Sequence, residues 1–279
     1  MVLLRPAIRA MSAFAVELGW VTAHAATYTL GLLHDAGDAL EPHLFRTEHL
    51  PLAQRSLMAA DVTAATTPIV LVHGIVDNRT IFAMLRRGLR RRGYKCIRTF
   101  SYGPHMSDVR SASRGLGEYI ERLCEQTGAD KVHLIGHSLG GLIARYYVQT
   151  GGSERVDTVI TLGTPHQGTL AAWIVPHHFV RQLRPDSEVI AELAAPAPDC
   201  TTRFIAFYSD HDQLIIPADH ARIEHPDLDA ENVLVRGVGH LSLPISGRIV
   251  HQICTTLAGV DALSRRGVRP REREFVHKV

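Results

Sequence analysis

The chain has 279 residues, 46% of them hydrophobic, enough to bury one large core, and a single main domain is the expectation at this length. Thirty Lys plus Arg against 28 Asp plus Glu leave a formal net charge of +2, a balance that carries no footprint for a polyanion and argues against a nucleic-acid partner. The four cysteines, Cys96, Cys124, Cys200 and Cys254, form no C-x-x-C pair, which argues against a zinc ribbon or a dithiol redox centre. Buried free thiols are the simplest expectation, with one disulfide through Cys200 as the alternative in an exported protein.

At the N-terminus Leu4, Ile8, Met11, Ala15 and Leu18 recur at steps of four and three, while Arg5, Arg9, Ser12 and Glu17 fall elsewhere. The spacing predicts an amphipathic helix within residues 1–35. Too polar to span a bilayer, it suits a position on the domain or peripheral contact with a membrane surface. A cleaved leader ending near Ala23-His24-Ala25 is the alternative, although Glu17 interrupts its apolar core. The compartment stays open between membrane or cell envelope and cytoplasm.

Residues 36–262 read as the main domain. After a loop-like stretch from 35 to 67, short apolar runs at 69–73, 95–100, 132–135, 156–162, 204–208 and 233–236 predict strands. Amphipathic stretches at 79–91, 108–127, 139–149 and 242–257 predict helices between and after them. The alternation predicts an α/β fold with a mostly parallel central sheet flanked by helices. Strands without central charge suit burial on both faces. Gly93, Gly128 and Gly151 stand where helices should end. The basic cluster Arg86, Arg87, Arg90, Arg91 and Arg92 reads as a solvated helix face. Residues 167–202 break the alternation, with Trp173, Ile174, Val175, Phe179 and Val180 beside four prolines. They suit a lid over the carboxyl ends of the strands, or equally a helical excursion packed on the core. Residues 263–279 read as a basic, solvated tail.

Gly136-His137-Ser138-Leu139-Gly140 stands between a predicted strand and a predicted helix. A G-x-S-x-G in that setting holds a serine hydroxyl out of the sheet beside a base and at a helix N-terminus. Ser138 is the candidate nucleophile. His240, in Gly237-Val238-Gly239-His240 after the last predicted strand, is the candidate base, because an elbow serine is followed in the chain by an acid and then a histidine. Asp210 and Asp212 compete for the acid; Asp212 is favoured because Leu214-Ile215-Ile216-Pro217 anchors it, and Asp210 reads as a turn former. The amide of Leu139 supplies one oxyanion donor at a helix N-terminus. Ile75, in the turn after Val70-Leu71-Val72-His73-Gly74, supplies the second. His73 orders that turn by hydrogen bonding.

At these residues the chain resembles the α/β-hydrolase superfamily, in its bacterial lipase and esterase branch. The matching pieces are His73-Gly74, Gly136 to Gly140, Gly163-Thr164-Pro165-His166-Gln167-Gly168, Asp212 before Ile215-Ile216-Pro217, and Gly239-His240. The resemblance implies an α/β-hydrolase fold with a lid-like insertion after the sixth strand. It implies a Ser138, Asp212, His240 triad, oxyanion amides at Ile75 and Leu139, and His73, Thr164, Pro165 and His166 on the substrate side. It also implies an acyl-enzyme mechanism on carboxylic esters, with a lipid substrate and neither cofactor nor catalytic metal. A short-chain esterase, thioesterase or acyltransferase would use the same groups, and a non-catalytic lipid-binding protein is the alternative from another class.

Overall fold

The computed structural model describes residues 67–75, 79–102, 108–175 and 177–264. The expected N-terminal helix and most of the basic tail lie outside the described residues. Six strands, β1 (Ile69–Val72), β2 (Ile97–Phe100), β3 (Val132–His137), β4 (Val156–Leu162), β5 (Arg203–Ser209) and β6 (Asp229–Val235), form one sheet in the order β2-β1-β3-β4-β5-β6. Every pairing is parallel, with Val72 opposite Gly136 and His137 opposite Leu162. The winding reverses between β1 and β3. In open parallel sheets such a switch point opens a crevice at the carboxyl ends of the strands.

Period-two alternation sorts the strand residues into two core layers. Val70, Val72, Leu134, Val159, Phe204 and Ala206 face one side, while Ile69, Leu71, Ile135, Ile160, Ile205 and Phe207 face the other. Helices α1 (Ala83–Arg91) and α6 (Gly247–Ser264) cover the second layer through Leu85, Leu89, Ile249 and Ile253. Helices α2 (Val109–Thr127) and α3 (Leu139–Gln149) cover the first through Leu116, Ile120, Leu142 and Ile143. Asp108 opens α2 with a capping box against Ser111, and Gly128 ends it in the left-handed conformation at φ 70. All four cysteines are free thiols, and three of them are buried.

Two elements depart from the sequence expectation. β6 begins at Asp229, four residues before the apolar run starts, because an edge strand half exposed along Ala230 to Val233 need not be apolar. The final helix begins at Gly247 rather than 242, since turns from Ser242 to Gly239 and from Leu243 to His240 precede it. Pro244 disfavours helical backbone at Leu243 and so delays the start.

The segment 167–202 follows the fourth described strand, β4, not the sixth. Its second half is a packed excursion. Helices α4 (His178–Arg181) and α5 (Glu188–Leu193), with the turn between them, bury Phe179, Leu183, Val189, Ile190 and Leu193 in the first layer. Gln182 accepts from the Val109 amide, and Arg110 bridges Glu188 and Glu192, the latter also held by the Tyr146 hydroxyl. Arg145 of α3, 3% exposed, reaches into the same joint. Its guanidinium donates to the Leu193 carbonyl at 2.9 Å, the His166 carbonyl at 3.2 Å and Gln149 Oε1 at 2.6 Å. Leu193 ends α5, so Arg145 satisfies a carbonyl the helix cannot. Burial pushes this guanidinium down to about 10. The first half is different: Leu170, Trp173, Ile174 and Val175 are exposed, Ile174 to 81%.

Replacing Arg145 with Met should cost about 2 kcal/mol or more, because it strands buried carbonyls. Urea unfolding should show a lowered midpoint at unchanged slope. An unchanged midpoint would mean the excursion is held without it.

Candidate active site

Five connections converge at the carboxyl ends of β1, β3, β4, β5 and β6. The turn at the end of β3 is the tightest. Ser138 has φ 53 and ψ −124, the only non-glycine with positive φ among the described residues. Such a conformation costs about 1–3 kcal/mol and persists only when the surroundings impose it. Here they do, because the Ser138 amide donates to the Leu162 carbonyl at 2.9 Å and its carbonyl accepts from the Thr164 hydroxyl at 3.0 Å. A methyl group at Gly140 would lie 2.1 Å from the Val72 carbonyl oxygen, so α3 can start against β1 only through glycine. Leu139 is the first residue of α3, and its amide stands at the positive end of the helix.

Asp212 and His240 come together. Asp212 Oδ2 accepts from His240 Nδ1 at 2.8 Å, and both side chains are buried, at 1% and 2% exposure. The other oxygen, Oδ1, accepts from the Leu214 and Ile215 amides at 2.9 Å each. Burial raises the carboxyl pKa, but the His240 charge, its hydrogen bond and the two amides outweigh burial and hold the carboxyl below its ordinary value. Asp210 turns away, accepting from Gly237 and His211.

The imidazole is placed from its backbone as well. Ser209 Oγ donates to Val238 O, the His240 amide donates to Gln213, and His137 Nε2 donates to the His240 carbonyl at 3.2 Å. The His137 and His240 rings lie 4.9 Å apart. His137 is the residue sequence reasoning passed over: it fills a variable position of the serine motif, and only its contact across 103 residues shows its use.

Gly163 joins the two halves of the site. Its neighbours Leu162 and Thr164 grip Ser138, and its own Cα faces the acid–base pair. A methyl there would lie 2.9 Å from Asp212 Oδ2, 3.1 Å from His240 Nδ1 and 2.8 Å from Leu243, at a φ of +54. The nucleophile candidate and the imidazole are therefore on adjoining loops.

The remaining candidates have structural partners. His73, buried, donates from Nδ1 to the Gly74 carbonyl at 2.8 Å, and Tyr102 stacks on its ring. Ile75 follows in the same turn, partly buried against the first core layer. Thr164, Pro165 and His166 are all buried. His166 Nε2 pairs with Thr161 Oγ1 at 2.9 Å, and burial holds this imidazole well below its ordinary value, with the Arg145 charge adding to the effect. Among the described residues no three His, Cys, Asp or Glu side chains converge as metal ligands would.

Residues 67–187 match the family model described as the alpha/beta hydrolase fold, over the part of the chain that carries the β1 turn, the serine elbow and Gly163. The chain has the α/β-hydrolase fold, and over that stretch it is similar to the family. Over 126 residues it is 36% identical to a triacylglycerol lipase of Burkholderia plantarii, a match covering 42% of this chain and 35% of the lipase. It is 27% identical over 124 residues to a lysosomal thioesterase of Xenopus laevis, covering 43% of each. Curated relatives such as these are thus matched over less than half their length. The Bacillus licheniformis lipase BlEst2 superposes with a TM-score of 0.56 at 18% identity, covering 70% of this chain and 92% of that one, a likeness of fold.

Two outcomes follow from this geometry. Gly163→Ala should displace the Asp212–His240 pair while leaving a folded protein, since the added methyl meets that pair as well as a strained φ; an unshifted downfield imidazole proton in the NMR spectrum would refute that placement. Asp212, lowered in the folded state, stabilises the protein fully above its unfolded pKa of about 3.9, and this contribution drains away as pH falls through the lower folded value. The stability gap between the parent and Asp212→Asn should accordingly narrow in urea titrations from pH 6 toward pH 3. A constant gap would contradict the sign.

Proposed function

We propose that the chain is a serine hydrolase of carboxylic esters, acting on lipid acyl esters through an acyl-enzyme. The observation that supports this is the buried Asp212–His240 pair packed against Gly163, whose neighbours Leu162 and Thr164 hold a serine at φ 53. A buried carboxylate keeps the imidazole in the tautomer whose Nε2 accepts a proton, and it stabilises the imidazolium that forms. His240 takes the Ser138 proton as Oγ attacks the ester carbonyl. The oxyanion is received by the Leu139 and Ile75 amides. His240 returns the proton to the departing alkoxide, and water, activated by the same imidazole, attacks the acyl-serine to release the acid. No step needs a metal or an organic cofactor.

The lipid assignment rests on the exposed apolar rim. Thr169 accepts from the Ile216 amide and donates to the Leu214 carbonyl, and Leu170 donates to the Ile216 carbonyl. These bonds join the exposed side chains of Leu170, Trp173, Ile174 and Val175 to those of Leu214 and Ile216 beside the acid loop. Such a rim suits an acyl chain or a lipid surface more than a polar ester. Similarity to a triacylglycerol lipase supports the same choice, and similarity to a thioesterase keeps acyl thioesters as the second reading, because a thiolate leaves through the same proton transfer.

A p-nitrophenyl ester series from acetate to palmitate should show activity rising with chain length. Ser138→Ala and His240→Ala should each lower kcat by about a thousandfold or more. Asp210→Asn should leave kcat near the parent value, whereas Asp212→Asn should not. A short-chain optimum would make the protein an esterase. Preference for acyl thioesters would favour the second reading, and turnover indifferent to Ser138 would overturn the mechanism.

A further inference from the structure

We propose that Tyr102 is a positioning residue of the oxyanion site, aiming the Ile75 amide through two successive peptide planes. The inference rests on the ester-hydrolase reading above. In a trans peptide the C=O and the following N–H point in opposite directions, so whatever holds one aims the other. His73 Nδ1 donates to the Gly74 carbonyl at 2.8 Å, and the Ile75 N–H is thereby turned to the side opposite the imidazole. The Tyr102 hydroxyl donates to the His73 carbonyl at 3.1 Å, which sets the preceding plane and with it the Gly74 N–H.

Tyr102 also sets the imidazole itself. Its ring lies on the His73 ring at 4.6 Å between centroids and 18° between planes, an offset-stacking distance. One side chain thus holds the first plane by its hydroxyl and the second by its ring, through His73. The clamp is needed because the residue between the planes is Gly74, whose backbone no side chain restrains. From the other direction the elbow helix presses on the same turn, since a methyl at Gly140 would be 2.5 Å from the His73 carbonyl oxygen. Tyr102 is braced in turn by Phe100 at 6.5 Å and by Phe179 of the pinned excursion at 6.0 Å. It stands two residues beyond β2 and belongs to none of the motifs.

Tyr102→Phe keeps the ring and removes the hydroxyl; Tyr102→Leu removes both. With short- and long-chain p-nitrophenyl esters alike, the Phe variant should lower kcat about tenfold and the Leu variant about a hundredfold, a misaimed donor approaching a missing one. KM should stay within about twofold, as expected for an interaction made in the transition state. Affinity for an aryl boronic acid, whose adduct with Ser138 mimics the tetrahedral intermediate, should fall by the same factor as kcat/KM. Thermal unfolding of the Phe variant reports that the fold is kept, and that variant carries the test if the Leu variant does not fold. Unchanged kcat in the Phe variant, loss confined to KM for long chains as for a mere pocket wall, or boronate affinity unaltered while kcat falls, would each overturn the assignment. A parent protein with no turnover would instead overturn the ester-hydrolase reading itself, and this inference with it.

Discussion

A carboxylate buried to 1% exposure must be met on both oxygens, and the arrangement of this molecule's site follows from how Asp212 is met. Transfer of an unpaired ion out of water costs far more than a domain's margin of stability. Two backbone amides take one oxygen and His240 takes the other. The amides belong to the loop after β5 and the histidine to the loop after β6, so the carboxylate binds two separate connections into one unit. The third connection, after β4, can lie against that unit only because Gly163 has no side chain.

The fold supplies the convergence. An all-parallel sheet brings every strand's carboxyl end to one edge, and the reversal between β1 and β3 opens that edge beside the serine. What closes it is unevenly built. Helices α4 and α5 are pinned by Arg110, Gln182 and the buried Arg145, while the stretch from Leu170 to Val175 shows its apolar side chains to solvent. The segment expected as lid or excursion is therefore an excursion in its second half and an apolar rim in its first. The pinned half reaches the chemistry indirectly, as a floor under Tyr102.

Much of this was legible in the chain. Strands buried on both faces announce themselves as apolar runs, and helix ends at Gly93, Gly128 and Gly151 carry the positive φ that their positions implied. Asp212 was separable from Asp210 because Leu214, Ile215 and Ile216 anchor the former, and the structure pairs Asp212 with His240. β6 was shortened because an exposed edge strand lacks an apolar pattern. His137 and Tyr102 were invisible for another reason: their partners lie 103 and 29 residues away, and no local spacing encodes such contacts. Gly163 stood inside a recognised turn, yet its reason, room for an acid–base pair from two later loops, exists only in three dimensions.

The proposed mechanism stands on activation of the Ser138 hydroxyl by the imidazole that Asp212 holds. Reaction with a fluorophosphonate, followed by peptide mass spectrometry on the parent and on His240→Ala, tests it without assuming a substrate. One adduct per chain is expected, on Ser138, formed rapidly by the parent and scarcely at all by the variant. No adduct on Ser138, or equal rates of labelling in the two proteins, would contradict it.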